Sequence, residues 1–289
     1  MTTRVSVEAI RAAKARGERL TMLTAYDYSL AAWVDRAGVD IVLVGDSLGM
    51  VMLGYATTAP VTTAEMLHHC RAVSRAVKRA LVIGDLPKEV LTAAPADIVR
   101  RARLFLKAGC DAVKIEWQPK AASLVRRMTR AGIAVMGHVG LTPQAVEDPT
   151  QFRVQGRTAT DAARILDSAR RLEAAGCFSV VLECVPSVVA EVITRQLAIP
   201  TIGIGAGPEC DGQVLVLHDV LGLYPQFSPK FAKQYAKLGE ATTRAVQAFC
   251  ADVTRGQFPG PEHAFSMRPA ELQKFLSLAR RGQAVTARG

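Results

Sequence analysis

Eight short apolar runs, each closed by a polar residue or glycine and followed by a helix-like stretch, leave few folds open to this chain. The runs are TMLTAYD (21–27), DIVLVGDS (40–47), ALVIGDL (80–86), DAVKIE (111–116), GIAVMGH (132–138), FSVVLEC (178–184), IPTIGIG (199–205) and GQVLVLHD (212–219). Between them lie stretches of helical period such as AEMLHHCRAVSRAV (64–77), DIVRRARLFLKAG (97–109) and DAARILDSARRLEAAG (161–176). Gly109, Gly132 and Gly176 stand where such helices end, because glycine takes the left-handed C-terminal cap at no steric cost. Strand and helix alternating over about 200–250 residues predict a (β/α)₈ TIM barrel. An open, doubly wound sheet is the alternative, weakened because no GxGxxG turn follows the first run.

Composition agrees. The 289 residues are 49% hydrophobic but only 6% aromatic, which suits one large aliphatic core. No run reaches the roughly 18 apolar residues that cross a bilayer. The opening MTTRVSVEAIRAAKARGERL is charged throughout and lacks a secretory apolar segment. Cysteines 70, 110, 177, 184, 210 and 250 form no CxxC pair, so reduced thiols in a cytoplasmic protein are expected. The net charge of +10 is scattered along helical stretches, without an aromatic-interleaved stripe or a recognition motif. That pattern points away from nucleic acid and toward small anionic molecules.

The run DAVKIEW places Lys114 and Glu116 on one face of a short strand and Val113 and Ile115 on the other. Buried Lys and Glu are rare unless paired or engaged in chemistry. A structural ion pair accounts for two such residues, but neighbouring runs repeat the pattern. Asp46 and Ser47 follow the second run, Asp85 the third, His138 the fifth and Glu183 the sixth. In a (β/α)₈ barrel these ends converge on the rim that carries the active site. Asp46, Asp85 and Glu116 offer hard oxygen ligands, which suit Mg²⁺ rather than zinc. Such an ion can chelate a 2-oxo acid and stabilise its enolate, with Glu183 as the free carboxylate placed to act as base. Lys114 holds a substrate oxygen as a cation or forms a Schiff base; the adjacent carboxylates favour the cation.

Taken in order, TAYDYSLA (24–31), LVGDSLGM (43–50), PVT (60–62), GDLP (84–87), VKIE (113–116), GHVGLTPQ (137–144), VQG (154–156), LECVP (182–186), IGIGAG (202–207) and DGQVLVLHD (211–219) resemble the ketopantoate hydroxymethyltransferase family. SPKFAKQY (228–235) and FPGPEHAF (258–265) continue the likeness. The resemblance implies a barrel of the phosphoenolpyruvate/pyruvate type and a Mg²⁺ enolate of 3-methyl-2-oxobutanoate. It implies a one-carbon unit taken from methylenetetrahydrofolate to give 2-dehydropantoate, the opening step of pantothenate synthesis. By the same resemblance Asp46, Asp85 and Glu116 hold one Mg²⁺ per subunit. Ser47, Lys114, His138 and the two aspartates contact the oxo acid, and Glu183 accepts the proton. A homo-oligomer, a decamer in many bacteria, is implied as well. A folate-independent aldolase or lyase on the same barrel is the alternative.

Two departures follow the site residues directly. Lys88 stands in DLPK where the family has DLPF, and Trp117–Gln118 stand in KIEWQ where it has KIEGG. They alter the wall near the folate, or Trp117 faces the helix layer, since the residue after Glu116 points away from it. The glycines of GIGAG serve a tight turn or a phosphate site, with the turn preferred because neither substrate needs a phosphate anchor. The barrel domain is expected over 1–266. Residues 267–289 form an extension with a helix from Pro269 ending near Gly282, followed by a flexible tail. Leu272, Phe275, Leu276 and Ala279 give that helix an apolar face, for its own barrel or for a neighbouring subunit.

Overall fold

The computed structural model describes residues 4–286 apart from 147, 149–151 and 228, with side chains described as far as 280. The expected tail at 287–289 and Ser228, which opens SPKFAKQY, lie outside the described residues. Eight strands form: β1 Leu20–Thr24, β2 Ile41–Val44, β3 Leu81–Asp85, β4 Ala112–Glu116, β5 Val135–Gly140, β6 Ser179–Glu183, β7 Thr201–Ile204 and β8 Gly212–Leu215. Every neighbouring pair is parallel and β8 returns to β1, so the sheet closes into the predicted (β/α)₈ barrel. An open doubly wound sheet is thereby ruled out.

Local sequence explains the elements. Thr62 and Glu65 form a reciprocal capping box at the start of Thr63–Ala76. Thr158 accepts the amide of Asp161 at the start of Ala159–Ala174. The three expected helix-ending glycines all take positive φ: +100° at Gly109, +77° at Gly132 and +103° at Gly176. The eighth run is shorter as a strand than its sequence suggests. Thr24 Oγ1 accepts the Leu217 amide at 3.0 Å, and the chain turns into the helix Leu217–Leu221 rather than extending the ladder.

Alternation divides the core in two. Side chains facing inward, among them Met22, Ile41, Leu43, Leu81, Ile83, Met136 and Ile202, fill the barrel floor together with Ile10 and Ala13 of the helix Val7–Ala13. The opposite faces pack against the surrounding helices through Val42, Val82, Val113, Val180, Phe105 and Leu172. The inward apolar layers stop short of the C-terminal rim, which is left to polar side chains.

The chain divides into two compact units, 1–237 and 238–289. That division falls earlier than the 266/267 boundary expected from the sequence. The second unit holds the helices Leu238–Thr254 and Pro269–Thr286, the latter running through Gly282. Between them Phe258 makes ring contacts with Phe249 and His263, at centroid distances of 5.7 and 5.0 Å.

Candidate active site

Strand register creates the site. Asp85 is the partner of Lys114 across β3 and β4, and Glu116 is the partner of His138 across β4 and β5. Glu183, last in β6, lies two residues beyond Val181, the partner of His138, and so on the same inward face. Lys114 Nζ reaches Asp85 Oδ2 at 2.7 Å and His138 Nδ1 at 3.5 Å. His138 is bracketed by carboxylates, with Nδ1 3.6 Å from Glu116 Oε1 and Nε2 3.2 Å from Glu183 Oε2. The Nε2 contact is an ion pair without hydrogen-bond alignment.

These charges sit in a buried setting that shifts their protonation. Lys114 is only 4% exposed. Burial works against its charge, but Asp85, Glu116 and Asp46 outweigh that and hold the ammonium above the ordinary lysine range. Burial, together with Asp85 and Glu116, pushes the Asp46 carboxyl well up. Asp85 is also raised, mainly by burial, although Lys114 opposes the shift. Burial and Lys114 disfavour a charged His138, yet its two flanking carboxylates lift it to about 9. The carboxylates around Lys114 favour its ammonium form over the Schiff-base role, which needs a neutral amine.

All seven residues singled out in the sequence, Asp46, Ser47, Asp85, Lys114, Glu116, His138 and Glu183, line one cavity of about 310 Å³ at the C-terminal rim. Glu183 is the most open of the strand carboxylates, its side chain 17% exposed against 3% for Glu116 and 1% for Asp85. Directly after it, Cys184 takes φ 49°, a left-handed conformation that is strained outside glycine, and also lines the cavity.

Two residues of the site were not singled out beforehand. Gln144, within the quoted GHVGLTPQ, donates Nε2 to Asp46 Oδ2 at 2.8 Å and to the Leu86 carbonyl at 2.9 Å. Its backbone amide donates to Glu116 Oε2 at 3.1 Å. One residue thus fixes two carboxylates, one just past β2 and one at the end of β4. Tyr26, fully buried, bonds Ser47 Oγ at 2.8 Å and so orients that hydroxyl. Tyr26 stands in a loop and Gln144 in the single 3-10 turn Pro143–Ala145, too short for any period to mark its side chain. A buried polar residue beside Pro143 and a tyrosine beside the Asp27 helix cap were the available signals.

The two departures do not reach the cavity. Trp117 points outward and lines a surface groove with Ala163 and Arg171, whose guanidinium lies 5.3 Å from the ring centroid. Gln118 donates to the Leu91 carbonyl at 3.2 Å, and Lys88 is not among the lining residues. The expectation of an altered folate wall therefore loses its footing at these positions, for the reason of strand alternation. In GIGAG, Gly205 has φ +61°, and a Cβ there would lie 2.8 Å from Phe231. These glycines serve a turn and a close approach.

A closed parallel barrel whose charged residues gather at the C-terminal rim is the layout of a (β/α)₈-barrel enzyme. The family model of ketopantoate hydroxymethyltransferase matches residues 4–261. A 3-methyl-2-oxobutanoate hydroxymethyltransferase of Moorella thermoacetica is 52% identical over 91% of this chain and 98% of its own. One of Nitratidesulfovibrio vulgaris is also 52% identical, over 97% and 92%. The chain belongs to the ketopantoate hydroxymethyltransferase family. Among solved structures, 2,3-dimethylmalate lyase of the PEP mutase/isocitrate lyase superfamily matches with a TM-score of 0.59 at 18% identity, over all of both chains. Phosphonopyruvate hydrolase matches with the same TM-score at 15% identity, over 100% and 99%. These two share the fold.

Proposed function

We propose that this enzyme transfers a hydroxymethyl group from methylenetetrahydrofolate to 3-methyl-2-oxobutanoate. The products are 2-dehydropantoate and tetrahydrofolate, with water supplying the hydroxyl oxygen. The observation that carries the reading is the pairing, in one cavity, of a buried Lys114 held 2.7 Å from Asp85 with the more open carboxylate of Glu183. Membership of the family supports the same reaction and disfavours a folate-independent lyase.

In this reading Lys114, Ser47 and His138 orient the oxo-acid oxygens and neutralise their charge. Glu183 takes the proton from C3, and the electron pair left behind forms the bond to the one-carbon unit. The two C–N bonds of that unit to the folate break as water supplies the hydroxyl, and the protons go to the folate nitrogens. Tyr26 and Gln144 hold Ser47 and the carboxylates in place. Burial in an enclosed site strengthens each of these contacts relative to water.

The donor set fits a divalent cation. Asp85 Oδ1 is buried without a hydrogen-bond partner, and Asp46, Asp85 and Glu116 crowd negative charge that Lys114 only partly offsets. Among the described residues no three His, Cys, Asp or Glu side chains stand ready as a complete ligand set. One Mg²⁺ per subunit, which needs few protein ligands, would be held at Asp46 and Asp85, beside Glu116, with water and substrate oxygens completing its shell. Such an ion would supply positive charge against the charge that develops on the oxo oxygen.

We extend the proposal to a homo-oligomer in the cytoplasm. The helix Leu238–Thr254 has no buried residue and exposes Val246, Phe249 and Val253, the kind of apolar surface a neighbouring subunit covers. All six cysteines are free thiols, as a reducing compartment allows. A decamer would follow the family. Exchange of the C3 proton with solvent deuterium, and turnover with and without methylenetetrahydrofolate, test the reaction. Turnover that ignores the folate would sink it.

A further inference from the structure

The cavity has a second half that the proton transfer above does not use. β8 lies across the closed barrel from β4, four strands away in either direction. Beyond β8 the chain supplies Asp219, then Tyr224, Phe227 and Phe231, all lining the same cavity. Asp219 is 7% exposed, and among the described residues no hydrogen-bond donor or ion-pair partner meets its carboxylate. Burial raises it to about 6, so it is largely ionised at neutral pH. His218 beside it offers no compensating charge, because burial pushes its protonation below the usual histidine range.

A buried carboxylate without a partner is costly, and it stays only where something supplies donors. Around it the wall is apolar and aromatic. Phe227 is 60% exposed and Phe231 39%, so two rings stand uncovered at the cavity mouth. Phe231 is seated against the backbone of Gly205, which has no side chain to displace it. Arg153 and Lys230 line the same mouth. A wall of this chemistry suits a flat ring with two adjacent donors and an anionic tail.

We propose that Asp219 receives the pterin of methylenetetrahydrofolate, its two oxygens accepting from the ring N3–H and the 2-amino group. The two donors lie side by side, as on the edge of a guanidinium, and a carboxylate accepts such a pair bidentately. Phe227 and Phe231 cover the ring system, and Arg153 and Lys230 meet the glutamate carboxylates. The one-carbon unit then faces the oxo acid across the barrel. This assignment rests on the hydroxymethyl transfer proposed above.

The test is calorimetric binding of tetrahydrofolate and of its 2-desamino analogue, to the full-length native protein and to Asp219→Asn. The native protein should bind tetrahydrofolate roughly 10- to 100-fold more tightly than the analogue, the range expected for hydrogen bonds to a charged group. Asp219→Asn should lose a similar factor for tetrahydrofolate, and the two losses should not add. Deuterium exchange at C3 of the oxo acid should stay within about twofold of native, on the scale of surface-like effects. Equal native affinity for both folates, additive losses, or exchange that falls along with folate binding would overturn the assignment. The analogue comparison uses native protein alone, so it decides the matter even if the variant misfolds. A native protein that turns over with methylenetetrahydrofolate beside an unaffected Asp219→Asn overturns only the pterin site. A native protein that neither binds tetrahydrofolate nor uses it removes the reaction itself.

Discussion

The two halves of the cavity handle charge in opposite ways. On the side of β3 to β6, Asp85, Lys114, Glu116, His138 and Glu183 are linked by contacts of 2.7 to 3.6 Å, with Lys114 and His138 standing between the three carboxylates. On the side of β8, Asp219 is alone among aromatic and aliphatic groups. The first half is organised before any substrate arrives, as bond-making chemistry needs. The second offers a lone acceptor and exposed rings, the features of a recognition surface. Mutations should separate the two by what they cost.

The largest effect is expected at Glu183. Glu183→Gln keeps the shape but cannot accept the proton, so turnover and C3 exchange should fall by roughly 10²–10⁴. Oxo-acid binding, read by calorimetry, should survive. Undiminished exchange would place the base elsewhere. Next comes Lys114→Met, which leaves Asp85 without its 2.7 Å partner. Breaking a buried pair on one side costs about 3–5 kcal/mol. Denaturant unfolding of chelator-treated protein should show that loss, and unchanged stability would mean that the charged half is not held together by this pair.

Asp219→Asn should behave in the reverse sense. The carboxyl is raised from 3.8 to about 6 in the fold, so its ionised form destabilises the native state above pH about 6. Removing that charge should stabilise the protein at pH 8, by on the order of 1–3 kcal/mol. As pH falls from about 6 toward 3.8 the native carboxyl protonates and the advantage should disappear. Thermal melts of both proteins across that range provide the measurement. A destabilised variant at pH 8 would show that Asp219 has a partner in the fold.

The smallest effect belongs outside both halves. Replacing Trp117–Gln118 with Gly-Gly removes the Arg171 contact and one bond to Leu91. Folate-dependent turnover should stay within about twofold, with a stability loss of about 1–2 kcal/mol from added backbone freedom and lost packing. A marked change in the folate KM would bring these positions back to the cavity.

The sequence by itself determined the barrel and the charged half of its site. Both follow from local rules: a strand points alternate residues to opposite faces, and strand ends of a parallel barrel meet on one rim. Once DAVKIE was a strand, Lys114 and Glu116 had to face inward together, and Trp117 away from them. Tertiary structure alone decided who meets whom. Gln144 joins Asp46 to Glu116 from the 3-10 turn Pro143–Ala145, and Thr24 ends the eighth strand early by taking the Leu217 amide. The aromatic wall comes from Tyr224, Phe227 and Phe231, in a segment with no period to mark it. Asp219 carried no assignment from the sequence; the closed barrel sets it opposite β4, facing the cavity. Periodicity fixes the direction of a side chain relative to its own strand. Which distant groups share its space depends on closure of the whole sheet, and no local pattern carries that information.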